Sequence, residues 1–328
     1  MGITKAVFWD LKEISSKLPF KEATAMNNTF QNAKRFVYQN ARPLDFARWK
    51  YHFDGGSRED VLNTLAMYQK KDGGFGYALE PDNWNPDSTP IATWAAMKFL
   101  REVGLTDADH PIIAGILRYL DSGKDFVEGK WCNTVPGNND HPHATWWHCD
   151  NNVGLPSDNP TVSICGFALV FAQPDSPLYQ KAAAIAAKSV ASFMASEDAE
   201  MHTLNNFLDL LSYCEDIPGF SLFDLSAFRA KLYKSVDAAV CKEPGKWYTE
   251  YVSKPSFFFD KTGRLFDILP RELCALEARM IADHQLPDGS WPVTWQWWTE
   301  YKEYEISANW WKSSFCIDNL LYLKYCEA

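Results

Sequence analysis

The sequence predicts an all-α protein whose helical hairpins close into an α/α toroid, a single domain over residues 1–328. Two observations carry that expectation. Apolar residues recur at helical spacing along nearly the whole chain without convincing strand alternation, and one kind of turn repeats between the helices.

Residues 5–18 and 28–40 have helical periodicity. Within 58–69, Val61, Leu62, Leu65 and Tyr68 share one face, and Arg58, Glu59 and Lys70 lie off it. Three later helices share a start signal, a capping side chain followed by a proline suited to the first helical position. These are Thr89-Pro90 before 91–103, Asn159-Pro160 before 161–172 and Ser176-Pro177 before 178–195. Further helices are expected over 112–120, 203–213, 227–240, 272–284 and 310–325, about eleven in all. Residues 132–159 form a long, polar, helix-poor stretch, expected as a loop over one mouth of the ring. Loops this long in a compact domain are commonly functional.

Four turns join a glycine to a large aromatic two positions on: Gly73-Gly74-Phe75, Gly129-Lys130-Trp131, Gly245-Lys246-Trp247 and Gly289-Ser290-Trp291. Successive aromatics lie 56, 116 and 44 residues apart. A period of roughly 55 residues fits one helical hairpin per unit, hence about six hairpins. Closing them into a ring lets each amphipathic helix bury a face; an open solenoid is the competing arrangement.

Composition narrows the partners. Lys+Arg number 32 against 42 Asp+Glu, a net charge of -10 with no basic stripe, so nucleic acid is not expected as a partner. No apolar run approaches the roughly 20 residues that span a bilayer, and no integral membrane association is expected. Lys5, Asp10, Lys12 and Glu13 interrupt the apolar core that a secretory signal needs, and Ala6 stands where a myristoylation motif wants Ser or Thr. A cytoplasmic chain is expected. Eight cysteines without a CxxC pair read as reduced, mostly buried thiols. Fourteen tryptophans exceed what core filling asks for, and they point toward a pocket.

Two of the turns extend into a longer pattern, Q-x-x-D-G-x-[FW], at Gln69, Asp72, Gly73, Phe75 and at Gln285, Asp288, Gly289, Trp291. This resembles the QW repeat of the terpenoid cyclase and protein prenyltransferase superfamily, squalene-hopene cyclase among them, whose members share an α/α toroid. The resemblance implies that Gln69, Asp72, Gln285 and Asp288 brace the fold. In that family the middle Asp of a D-x-D-D-T-A motif protonates an alkene. Laid on Thr89, this chain offers Asn85, Asp87, Ser88 and Thr89, so the resemblance implies Asp87 as the proton donor, with Asn85 and Ser88 replacing the neighbouring carboxylates. No D-D-x-x-D motif exists, and Asp209, Ser212 and Glu215 miss the second magnesium motif by one residue.

Residues 76–89 hold three carboxylates, Glu80, Asp82 and Asp87, around Trp84 and ahead of a helix start. A carboxyl desolvated beside an aromatic wall keeps its proton and acts as a general acid. The alternative is that these groups simply face the helix dipole. The long loop concentrates His141, His143 and His148 with Trp146, Trp147, Cys149 and Asp150. Imidazole, thiolate and carboxylate suit zinc. Protein prenyltransferases and lanthionine cyclases, which also resemble this toroid, hold zinc through such sets, but the Cys-His-Gly signature of the lanthionine cyclases is absent. His148, flanked by tryptophans, is expected as an acid/base partner or polar lining, and no metal or cofactor is assigned.

Together these features describe an enzyme with an aromatic-lined central cavity performing carboxylate acid/base cyclisation or isomerisation on a small apolar substrate. Asp87 donates the proton, Glu80 and Asp82 tune or relay it, and His148 assists. Trp84, Trp146 and Trp147 shape the pocket, with Asn159, Trp297 and Trp310 as further substrate contacts. A sugar-active toroid enzyme with tryptophan platforms, a zinc-dependent transferase-like enzyme and a non-catalytic lipid or peptide binder stay open as alternatives.

Overall fold

The computed structural model describes residues 20–197, 199–261 and 264–327, with side chains from residue 27 onward; the helix expected over 5–18 lies outside them. In chain order the helices are α1 (Phe20–Asn40), α2 (Pro43–Phe53), α3 (Arg58–Ala66), α4 (Pro90–Glu102), α5 (Pro111–Asp121), α6 (Asp158–Phe171), α7 (Pro177–Ala195), α8 (Met201–Glu215), α9 (Leu225–Ala239), α10 (Leu265–Ile268), α11 (Arg271–Asp283) and α12 (Tyr304–Glu327). A small antiparallel sheet, β1 (Phe126–Val127), β2 (Lys130–Thr134) and β3 (Leu155–Pro156), lies between α5 and α6. Each helix expected within the described residues is present, and none of them is long and apolar enough to cross a membrane.

Local chemistry explains the helix starts. Ser57 and Asp60 form a reciprocal capping box on α3. Thr89 accepts from Ala92 N, and Ser176 accepts from Tyr179 N, each directly before the expected proline. Asn159 departs from the pattern: it is non-helical, and Ser157 caps α6 instead. A residue preceding proline is pushed out of the helical region, which moves the cap upstream. Helix α2 was not expected, because Arg42 gives no side-chain cap. Its buried face compensates: Asp45 is fully buried and holds Arg42 at 2.7 Å and Arg48 at 3.1 Å, while Arg48 also reaches Asp318 on α12. The sheet was not expected either, since two of its strands are only two residues long, too short for alternation to register.

The chain divides into two compact units. One comprises residues up to Met67 with Val240–Gln296 and the segment from Lys302; the other comprises Tyr68–Ala239 with Trp297–Tyr301. In the first unit, Phe30 of α1 packs on Trp49 and Phe53 of α2, with ring centroids 5.4 and 5.8 Å apart. In the second, α6 is buried on nearly every face and packs against α7 and α8. Asp209 on α8 ties α4 and α6 to it by accepting from Trp94 Nε1 at 3.2 Å and Ser163 Oγ at 3.0 Å.

The two extended turns have the same construction. Gln69 Nε2 donates to Gly73 O at 2.9 Å and to Ile112 O on α5 at 3.0 Å. Gln285 Nε2 donates to Gly289 O at 2.9 Å and to Thr29 O on α1 at 2.9 Å. Asp72 accepts from Gly74 N, and Asp288 accepts from Ser290 N, so each Asp folds its own turn. Gly73 (φ 98°) and Gly289 (φ 94°) sit against helix backbone, where an added Cβ would stand 2.0 Å from Gly115 O and 2.2 Å from Asn32 O. The other two turns of the repeat bury Trp131 and Trp247, but Gly129 and Gly245 have open space beside them.

Candidate functional site

Residues 80–87 fold through a relay of side chains onto the backbone two residues on. Glu80 Oε2 accepts from Asp82 N at 3.0 Å, Asn83 Oδ1 from Asn85 N at 3.2 Å, and Asn85 Oδ1 from Asp87 N at 2.9 Å. The pattern E-x-D-N-x-N-x-D is therefore a loop-building code. The long loop then docks on this one. Ala144 N donates to Asp82 O at 2.9 Å and Trp84 N to Pro142 O at 2.9 Å, and Asn83 bridges to His143. Asn138, 1% exposed, accepts from both Asn83 Nδ2 and Asn85 Nδ2 at 3.1 Å and donates to Trp147 O at 2.9 Å. A third segment closes the group: Thr145 N donates to Trp297 O, and Trp297 Nε1 donates to Asp82 Oδ1 at 2.7 Å.

Two of these segments, the long loop and 297–301, both within the second unit, line an open basin of about 390 Å³. His143, His148 and Asp150 form part of its wall; Asn139, Thr145, Thr299 and Tyr301 form the rest. Among the described residues no aliphatic side chain, lysine or arginine lines it. Such a volume lies within the roughly 300–1,000 Å³ of small-molecule sites.

The two histidines are coupled. Their rings stack with centroids 5.4 Å apart and an interplanar angle of 15°. His143 Nδ1 lies 2.6 Å from His141 O, and His143 Nε2 lies 3.2 Å from His148 Nδ1. A carbonyl only accepts, so His143 Nδ1 carries the proton. In the neutral ring its Nε2 then accepts, which puts the proton of His148 on Nδ1 and leaves His148 Nε2 a bare lone pair. His143 is buried and His148 exposed at the basin.

Backbone strain gathers in the same segments. Tyr77 (φ 56°), Ala78 (φ 54°), Asn151 (φ 56°), Asn152 (φ 54°) and Trp298 (φ 57°) are left-handed without being glycine. Bulky residues rarely adopt that region, and such outliers cluster where function holds them.

The residues expected from sequence divide clearly. Glu80, Asp82, Trp84, Trp147, Trp297 and His148 converge with the long loop, although Trp297, 1% exposed, is a buried strut and Glu80 and Asp82 are engaged by backbone and indole N–H groups. Trp146 is exposed at 41% beside Thr145. Asp87 does not join the basin: its side chain is 75% exposed, 3.9 Å from Lys70, without the desolvation that the acid role invoked. Asn159 sits at the start of α6, where its carbonyl accepts from Asn133 and its side chain from Asn206. Trp310 belongs to the first unit, with the Arg42 guanidinium 5.6 Å from its ring. Asp209 and Glu215 are committed elsewhere, Glu215 to Arg229. Cys149 is buried, its Sγ donating to Val153 O at 3.1 Å. Among the described residues no group of three or more His, Cys, Asp or Glu is placed to hold a metal ion.

The sequence named His143 only within the loop's histidine cluster and did not point to Asn138, Asn139, Thr299 or Tyr301. The spacing of His143 and His148 and the tandem Asn138-Asn139 were the available signals. No protein-family model, curated protein or solved structure matches the chain.

Proposed function

We propose that the chain is an enzyme of acid–base chemistry acting on a small, hydroxyl-bearing molecule in the basin. The observation that carries this is the directed chain from His141 O through His143 to His148, which presents an oriented imidazole base at the wall of the basin. His148 Nε2 takes a proton from a substrate hydroxyl or a water. Its Nδ1–H continues to donate to His143, which stabilises the imidazolium so formed. His143 is a positioning residue, fixed in turn by the His141 carbonyl. The solvent exposure of Asp87 favours this reading over cyclisation of an apolar substrate, for which that carboxyl would have to be desolvated.

The fold that goes with this reading is the α/α toroid of the terpenoid cyclase and prenyltransferase superfamily. Its support is the second brace turn. The Gln69 turn follows α3 and docks on α5, two helices further along the chain; the Gln285 turn follows α11 and docks on α1, as though α1 came after α12. That relation is cyclic, as a ring of hairpins requires. The eight unpaired cysteines, six of them buried, suit a reducing compartment and hence a cytoplasmic protein.

Nitrogen-15 NMR of the imidazoles tests the base directly. His148 is expected as the Nδ1–H tautomer at neutral pH, and an Nε2–H tautomer sinks the mechanism. With any substrate found by screening neutral polyols and glycosides, His148→Ala is expected to lower turnover by roughly 10²–10⁴-fold. Unchanged turnover in that variant removes His148 from the chemistry.

A further inference from the structure

Resting on the basin as the active site, we infer that its ligand class is a neutral pyranoside, with a sugar ring stacked on the exposed tryptophans Trp146 and Trp298. Each follows or precedes a residue of the basin wall, Thr145 and Thr299, and the hydrogen bond from Thr145 N to Trp297 O brings the two segments side by side. Trp298 is 76% exposed and left-handed at φ 57°. Both properties are costly: a large apolar side chain in water gains nothing from the core, and a bulky residue with positive φ is strained. Packing inside the protein therefore does not explain it, whereas a flat apolar partner does.

The chemistry of the wall selects that partner. A pyranose offers one face of C–H groups that stacks on an indole, and an equator of hydroxyls that needs hydrogen-bonding groups around it. The basin supplies the second requirement through the Asp150 carboxylate, the Thr145 hydroxyl and the His148 imidazole. Charge narrows the class further. With Asp150 present and no lysine or arginine among the described residues of the wall, phosphorylated and uronic sugars meet repulsion without a counter-ion, as do nucleotides. Neutral rings pay no such penalty.

The test is binding rather than turnover, so it separates from the test of the base. Cellotriose, maltotriose, xylotriose and chitotriose are titrated by calorimetry and saturation-transfer NMR into the full chain and into its Trp146→Ala, Trp298→Ala and His148→Ala variants, with a trigalacturonate, adenosine and farnesol as comparators. At least one neutral trisaccharide is expected to bind, with saturation strongest on the ring C–H protons, and to bind roughly tenfold more weakly to Trp298→Ala. Since Trp298 is exposed, the variant is expected to fold, and its circular dichroism melt checks this. The inference is overturned if none of the four binds at millimolar concentration, if a comparator binds tighter than all of them, or if affinity is indifferent to both tryptophans. Sugar binding intact in His148→Ala with unchanged turnover would instead remove the acid–base reading and leave the ligand class standing.

Discussion

Trp297 and Asp82, 215 residues apart in the chain, meet in a 2.7 Å hydrogen bond between buried side chains. The Asp82 backbone carbonyl meanwhile receives Ala144 N, so one residue fastens the long loop with its main chain and the 297–301 segment with its carboxylate. The basin rests on this double attachment. Asp82→Ala leaves the indole N–H of Trp297 buried without its acceptor and is expected to cost about 1–3 kcal/mol, read from the urea midpoint. Asp82→Asn keeps an acceptor and should recover most of that loss; equal losses would assign the effect to charge rather than to the hydrogen bond.

Asn138 is the corresponding fastener on the other side of the loop, since its one carbonyl oxygen serves two buried amides. Asn138→Ala strips both at once, along with the donor to Trp147 O. A cost of about 2–4 kcal/mol is expected from the buried groups left unpaired. Asn139→Ala serves as the comparison, because its partners include the exposed Asn152. Hydrogen exchange should show opening confined to the two loops in the first variant.

The brace turns predict an ordering among glycines. Gly73→Ala and Gly289→Ala each combine a positive φ with a backbone oxygen within 2.2 Å of the new Cβ. Gly104→Ala has positive φ (67°) but nothing within 4 Å. The strain alone is about 1–3 kcal/mol, so the brace variants should melt well below Gly104→Ala. Comparable melting temperatures for all three would mean that the turns do not dock as described.

Acid should weaken the same turns. Burial pushes the Asp72 carboxyl up, but the Ser88 hydroxyl, the Gly74 amide and Lys124 outweigh it and hold it below its ordinary value of 3.8. Burial likewise opposes, and the Ser290 hydroxyl and amide with Lys312 outweigh, at Asp288. A carboxyl depressed in the folded state contributes fully above its unfolded value and loses that contribution as pH falls through the folded one. Stability should therefore fall below about pH 4 with extra steepness. The Asp72→Asn and Asp288→Asn pair should flatten that limb in a pH series of urea titrations.

Helices were legible because their signals are local. Thr89-Pro90 and Ser176-Pro177 cap as read, and the two extended turns are braces as read. Helix α2 escaped because a buried ion network around Asp45 replaces the cap, and no local rule encodes that. Both loops of the site were visible separately, as a carboxylate cluster and a histidine cluster. Their union was not, since it is made by backbone pairing between Asp82 and Ala144 and by buried amides, which leave no periodic trace. Asp87 was favoured by its motif position, yet the Asn85 side chain that receives its amide belongs to a turn whose end faces solvent.

The seat of the Gln285 turn on α1 has a consequence for biosynthesis. Gln285 and Thr29 are 256 residues apart, so the N-terminal helices of the first unit emerge from the ribosome long before the turn that braces them. The second unit, nearly continuous from Tyr68 to Ala239, can gather its helices in the interval. Helices α1 to α3 must wait with apolar surface uncovered, which makes the nascent chain a client for chaperones at that stage and makes the emergence of the Gln285 turn, rather than that of α1, the moment from which the first unit becomes stable.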